Sequence, residues 1–313
     1  MKVVTFADGA AERLGVLVGN EIVDLARAAG GNGEGAPFAD MLSFIRAGAS
    51  ARTAAEALID SGKGRTAASG VKLLAPLKPS TILCSGSNYH AHNAEKKDSA
   101  ISGKEPEFFV KTADCVVGPD EPILYDPKLS EKLDCETELA VVIGAPGRHI
   151  PVERALDHVF GYTIVNDVTA RDRQVRTNDQ GFTWYELGRG KAFDSSAPLG
   201  PTIVTADEVP DPQNLWLKTR INGELRQSSN TSDMIWSCAE LIHFFSTNFT
   251  LRPGMVIITG TPAGTAWSTD ASLGGKWRGE PGLVPATRYC LPGDVIECEM
   301  EKIGLLRNPV AAA

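Results

Sequence analysis

The sequence has no CxxC pair, no excess of basic residues and no apolar run long enough to cross a bilayer, and each absence removes a class of protein. Its six cysteines, Cys84, Cys115, Cys135, Cys238, Cys290 and Cys298, are scattered over 313 residues. That spacing fits neither a zinc ribbon nor a compact disulfide framework, so they read as buried thiols. A formal net charge of −8 leaves no basic footprint, and neither nucleic acid nor an anionic membrane surface is expected as a partner. The opening MKVVTFADGA has no basic stretch followed by an apolar core, and no run of about 18 apolar residues exists, so a cytoplasmic protein is expected. What remains is a 42% hydrophobic composition, sufficient for a large core. With this charge balance, an anionic substrate would need a local cation to overcome repulsion.

The chain from Val3 to Leu25 alternates apolar and polar residues, with Gly19-Asn20 placed as a hairpin turn. The glycine-rich passage GGNGEG leads into two helix-like stretches, 38–47 and 51–61. Prolines in KLLAPLKPS then suggest a boundary, giving a small strand-rich N-terminal domain over 1–75 and a larger domain over 76–313. In the larger part, ELAVVIG, FGYTIVND, GPTIVTA, MVIITG and DVIECEME are short, rich in β-branched residues and closed by turn formers. Helical patterns are fewer, at 152–158 and 232–248. Regular strand and helix alternation is absent, so the expectation is a β-rich α+β fold with a rolled or sandwiched mixed sheet.

In LDCETELAVVIG, Asp134, Glu136 and Glu138 are two apart, which on a strand points three carboxylates to one face. The strand runs on into apolar LAVVI, toward a core where unpaired carboxylates are costly. A divalent cation relieves both the repulsion and the burial. Asp167 ends a second apolar run, GYTIVND, and an all-oxygen donor set selects magnesium or manganese before zinc. In NYHAHNAE, His92 and Glu95 are three apart, so one helical turn sets both on one side. A carboxylate on one ring nitrogen fixes the tautomer and frees the other to take a proton.

These segments resemble, in order, the blocks of the fumarylacetoacetate hydrolase family. They read NYHAHNAE at 88–95, PEFFVKTADCVVGPDEPI at 106–123, DCETELAVVIG at 134–144, GYTIVNDVTARDRQ at 161–174, GKAFDSSAPLGP at 190–201 and LRPGMVIITGTPAGT at 251–265. The final LPGDVIECEMEKIGLLRNPV is similar to the family's closing strands, and the opening strands to its small N-terminal domain. The resemblance implies a mixed β-roll, usually in a homodimer, with Mg2+ or Mn2+ held by Glu136, Glu138 and Asp167. It implies that His92 and Glu95 activate water on a segment that closes over substrate. Lys191 matches the lysine that meets developing negative charge. Gln174 and Thr261 match contacts to the substrate's carboxylate and oxo groups, and Tyr89 a tyrosine that shapes the pocket.

The activity implied is hydrolysis of a carbon-carbon bond in a small 1,3-diketo acid. The same chemistry would serve a decarboxylase, or an isomerase or hydratase, of oxaloacetate-like or unsaturated oxo acids. A non-catalytic relative that only binds a carboxylate is the third reading. Ser87 stands where many relatives carry arginine, and Met255 where the usual turn has aspartate. The stretch 266–289, with Trp267, Trp277, Arg278 and Arg288, is longer than in compact members and reads as a surface flap or dimer contact in preference to a pocket wall.

Overall fold

The computed structural model describes residues 1–31, 37–95 and 105–313. Most of the GGNGEG passage, and any segment after Glu95 that would close over substrate, lie outside the described residues. Among these no helix is long and apolar enough to cross a membrane.

Local sequence accounts for the opening elements. Lys2–Asp8, Ala11–Val18 and Glu21–Asp24 form an antiparallel meander, and Val18 pairs with Glu21 across the expected two-residue turn. Gly19 takes φ 59° there, a left-handed value that glycine adopts without penalty. The two expected helices form one segment, Met41–Asp60, broken at Gly48 (φ 65°, ψ −141°).

One long sheet runs, by neighbours, through Arg65–Ala67, Glu21–Asp24, Ala11–Val18, Lys2–Asp8, Ala197–Thr205, Val159–Asn166, Thr137–Ile143, Val256–Ile258, Ile82–Gly86 and Glu107–Lys111. The N-terminal meander joins it where Lys2 and Val3 pair with Val204 and Ile203. A second sheet contains Glu224–Asn230, Trp216–Ile221, Val295–Met300, Gly304–Ala312 and Ile123–Tyr125. Leu139, Val141 and Ile143 of the first sheet share a core with Leu217, Ile296 and Leu306 of the second. The fold is therefore α+β and strand-rich, in two packed layers.

The helix expected over 232–248 begins only at Cys238. Ser237 and Glu240 form a reciprocal capping box at its start, and the preceding Thr231–Asp233 is a 3-10 turn. Val152–His158 is also 3-10. All six cysteines are buried and unpaired.

Candidate functional site

Strand pairing gathers the carboxylates. Thr137 is opposite Asn166 in an antiparallel ladder, and just beyond that pair the Asp167 N–H donates to Glu136 O at 2.8 Å. Glu136 and Glu138 thus enter the sheet where Asp167 leaves it. One carboxylate oxygen from each lies within 4.8 Å of the others, and all three side chains are buried.

Asp134 departs from the expectation of a common face. Strand geometry is interrupted between Leu133–Asp134 and Thr137–Ile143, so the period-two rule does not carry across. Asp134 turns instead to Arg171 Nε at 2.8 Å and accepts from the N–H groups of Ala266 and Trp267 at 3.0 and 2.9 Å.

Three buried cations balance this acidity. Lys191 Nζ donates to Glu136 Oε2 (2.6 Å) and Asp167 Oδ2 (2.5 Å). Arg171 Nη2 donates to Glu136 Oε1 at 2.5 Å. Lys111 Nζ lies 2.8 Å from Asp167 Oδ1, outside hydrogen-bond geometry, and donates to Ser196 O at 2.8 Å and to Lys191 O. Burial opposes charge on Glu136, but Lys191 and Arg171, with His92, outweigh it and hold the carboxyl well below its usual range. Burial likewise opposes charge on Lys191, and Asp167 and Glu136 overcome that, raising its pKa.

Glu138 is the carboxylate left over. It accepts from the Gly260 N–H at 2.7 Å. Burial first, then the charges of Asp167 and Glu136, push its carboxyl well above the usual range. Four carboxyls facing three cations leave the cluster one positive charge short, and Asp167 Oδ1 is buried without a hydrogen-bond partner. A hard divalent ion fits both features, since hard cations take oxygen donors.

His92 and Glu95 meet as expected, Nδ1 to Oε2 at 3.2 Å, both buried. His92 rides on the single turn His90–Ala94, Glu95 caps its end, and the Gly264 N–H fixes Glu95 Oε1 at 2.9 Å. His92, Glu136, Glu138, Asp167, Lys191, Gln174 and Thr261 all line one cavity of about 410 Å³.

Other expectations need correction. Tyr89 is fully buried behind the wall, in the core with Met234 and Cys238, and not in the cavity lining. Its position before the turn directs the ring inward. In the TGTP turn, two of the donors already have protein partners. Its Gly260 N–H serves Glu138, and the Thr261 hydroxyl donates to Thr137 O (3.2 Å) while accepting from Gln227 Nε2 (2.9 Å). Gln174 Oε1 is engaged by Arg171 Nη1 at 2.9 Å. Trp267, expected in a surface flap, lines the cavity and presents its edge to His92 with ring centroids 5.7 Å apart.

Sequence reasoning missed Arg171, Lys111 and Gln227. Arg171 stands in the quoted TARD stretch, four residues past Asp167. Lys111 carried a signal, since in EFFVK it alternates with Phe109, and both are buried on one face.

A family model described as "Fumarylacetoacetate (FAA) hydrolase C-terminal" matches residues 81–311. A mitochondrial oxaloacetate tautomerase of Xenopus laevis is 41% identical over 271 residues, covering 86% of this chain and 78% of that protein. The solved fumarylacetoacetate hydrolase of psychrophilic Exiguobacterium antarcticum is 35% identical with a TM-score of 0.79, over 100% of both chains. Maleylpyruvate hydrolase of Sphingobium sp. SYK-6, solved with manganese(II) and pyruvate, is 30% identical with a TM-score of 0.76, again over 100% of both.

Proposed function

The chain belongs to the fumarylacetoacetate hydrolase family, and from that premise we propose that it is a divalent-metal-dependent isomerase that interconverts the enol and keto forms of a small oxaloacetate-like oxo acid. The observation that carries this reading is a carboxylate cluster one cation short, sharing a cavity with His92, whose Nδ1 is held from behind by buried Glu95. The expected cleavage of a 1,3-diketo acid gives way to the isomerase reading, because the tautomerase is 41% identical and the two hydrolases 35% and 30%.

Glu136, Glu138 and Asp167 would hold Mg2+ or Mn2+, which when bound supplies polarisation of an α-oxo acid's oxygens. The protein's own groups handle the proton. Glu95 on Nδ1 orients the His92 ring, so that Nε2 takes the proton from the carbon next to the oxo group and returns it in the reverse direction. As the C–H bond breaks, its electron pair moves into the new C=C bond and the oxo oxygen gains negative charge. Lys191, kept protonated by Asp167 and Glu136, stabilises that oxygen until a proton from water completes the enol, and His92 gives its proton back to water.

The test is to follow enol absorbance of oxaloacetate with the purified protein, with Mn2+ present and then chelated, alongside product analysis on an acylpyruvate. Metal-dependent acceleration of tautomer exchange, without loss of a carbon fragment, is the expected result. Cleavage of the acylpyruvate with no acceleration of exchange would establish the hydrolase instead. Exchange that survives complete chelation would remove the metal from the proposal.

A further inference from the structure

His92 sits within five helical residues, His90–Ala94, and Glu95 is the residue that caps their C-terminal end. An isolated helix needs about 12 to 15 residues even in favourable sequences, so this turn must take its position from what surrounds it. At its start the Ala91 N–H donates to Asp233 Oδ2 at 3.1 Å. Its end has carbonyls that a helix leaves without internal partners. One stretch of the loop after TGTP takes them up: the Lys276 N–H donates to Glu95 O at 2.7 Å, and Arg278 Nε to Ala94 O at 2.5 Å. A cation at a helix C-terminus is favoured electrostatically as well.

The same loop reaches the reacting side of the pair. Trp267 lies edge-on to His92, and its Nε1 donates to Leu273 O at 3.0 Å, which fixes the indole. The Arg171 guanidinium stands 6.0 Å from the centroid of that ring, so one indole neighbours both the dyad and a cation of the carboxylate cluster.

We propose that the loop over 264–278 positions the dyad and that Arg278 is its pin. Arg278 touches no reacting group and is a positioning residue, acting through Ala94 and the turn. The inference rests on the reading of His92 and Glu95 as the pair that moves the proton. Because Arg278 is exposed, its substitution leaves the core untouched.

The experiment compares Arg278→Gln and Arg278→Lys with the unaltered protein by hydrogen exchange at the Asn93 and Glu95 amides, which bond within the turn to Tyr89 O and His92 O. The kinetics of tautomer exchange and Mn2+ affinity are measured on the same samples. Misplacement of a catalytic group by about 1 Å can cost roughly 10²-fold, so Arg278→Gln is expected to lower kcat at least about tenfold while KM and Mn2+ affinity stay within about twofold. Amide exchange in the turn should quicken, and Arg278→Lys should restore most of both. Unchanged amide exchange, or faster exchange with unchanged kcat, overturns the pinning role. If the unaltered protein fails to accelerate tautomer exchange, the proposed function fails, and amide exchange alone then decides whether Arg278 holds the turn.

Discussion

Lys191 Nζ lies 2.5 Å from Asp167 Oδ2, and the same ammonium reaches Glu136 Oε2 at 2.6 Å. It is counter-ion to two of the three carboxylates that would hold a metal, so it competes with the ion it serves. Two like charges about 4 Å apart repel by about 4 kcal/mol at an effective dielectric near 20, before relaxation. Lys191→Gln is therefore expected to tighten Mn2+ binding by about tenfold, while turnover falls by about 10² or more through loss of the oxyanion donor. Calorimetric Mn2+ titration and kcat on one preparation would read the opposite signs. Weaker binding in the variant would mean that Lys191 assembles the site and does not compete for it.

Glu138 leads to a prediction about protons. Burial, then Asp167 and Glu136, raise its pKa well above the usual carboxyl range in the metal-free cluster. A carboxyl must ionise to ligate, so Mn2+ binding should release the proton from whatever fraction of Glu138 still carries one, and should strengthen as pH rises. Calorimetry in two buffers of different ionisation heat measures the release directly. Glu138→Gln should bind more weakly and release none; release that persists in that variant would place the proton elsewhere.

Gln227 ties the two sheets together beneath the site. Its Oε1 accepts from the Thr137 N–H at 3.1 Å and from Thr219 Oγ1 at 2.5 Å, while Nε2 donates to Thr261 Oγ1 and Pro262 O at 2.9 and 2.8 Å. Thr137 lies between Glu136 and Glu138, so this amide sets the pitch of the two metal-facing residues. Gln227→Leu keeps the volume but strands buried donors, at a cost of about 1–3 kcal/mol each. Urea denaturation should show a loss of that size, and Mn2+ affinity should fall with it. Loss of stability at unchanged Mn2+ affinity would show that the link is structural alone.

What the sequence disclosed, and what it did not, follows from the range of the interactions. Glu136, Glu138 and Asp167 were legible because each acid interrupts or ends an apolar run, and His92 with Glu95 because one turn is a local rule. Asp134 misled, because spacing two apart means one face only while the strand is unbroken. Arg171 and Lys111 were illegible as core cations: charged residues are ordinarily exposed, and their partners Asp134 and Asp167 are distant in the chain. The stretch 266–289 has no periodicity, so neither Trp267 against His92 nor Arg278 on Ala94 O had any sequence signal. The meander and closing strands were read from alternation, whereas the start of the 238–248 helix depended on a cap that no apolar pattern marks.

Asp294, away from the cavity wall, shows what an ion pair contributes to the fold. It accepts from Arg288 Nη1 and Nη2 at 2.6 and 2.7 Å, from the Leu291 N–H at 2.8 Å and from Asn222 Nδ2 at 2.8 Å. The Arg288 bonds outweigh partial burial, and with Leu291 and Asn222 they lower its pKa to about 2 from the ordinary 3.8. A carboxyl depressed on folding adds stability that is fully present above its unfolded pKa and is lost as pH falls toward the folded value. The window is therefore about pH 4 down to about pH 2. The shift corresponds to about 2 kcal/mol, reduced to about 1–2 kcal/mol because Arg288 is half exposed and screened by solvent. Urea midpoints of the unaltered protein and Asp294→Asn should differ by that amount at pH 6 and converge as pH drops through the window. Other carboxylates titrate in the same range but are common to both proteins, so they cancel in the difference. A gap that stays constant with pH would show that Asp294 contributes through packing and neutral hydrogen bonds, with no stabilisation from its charge.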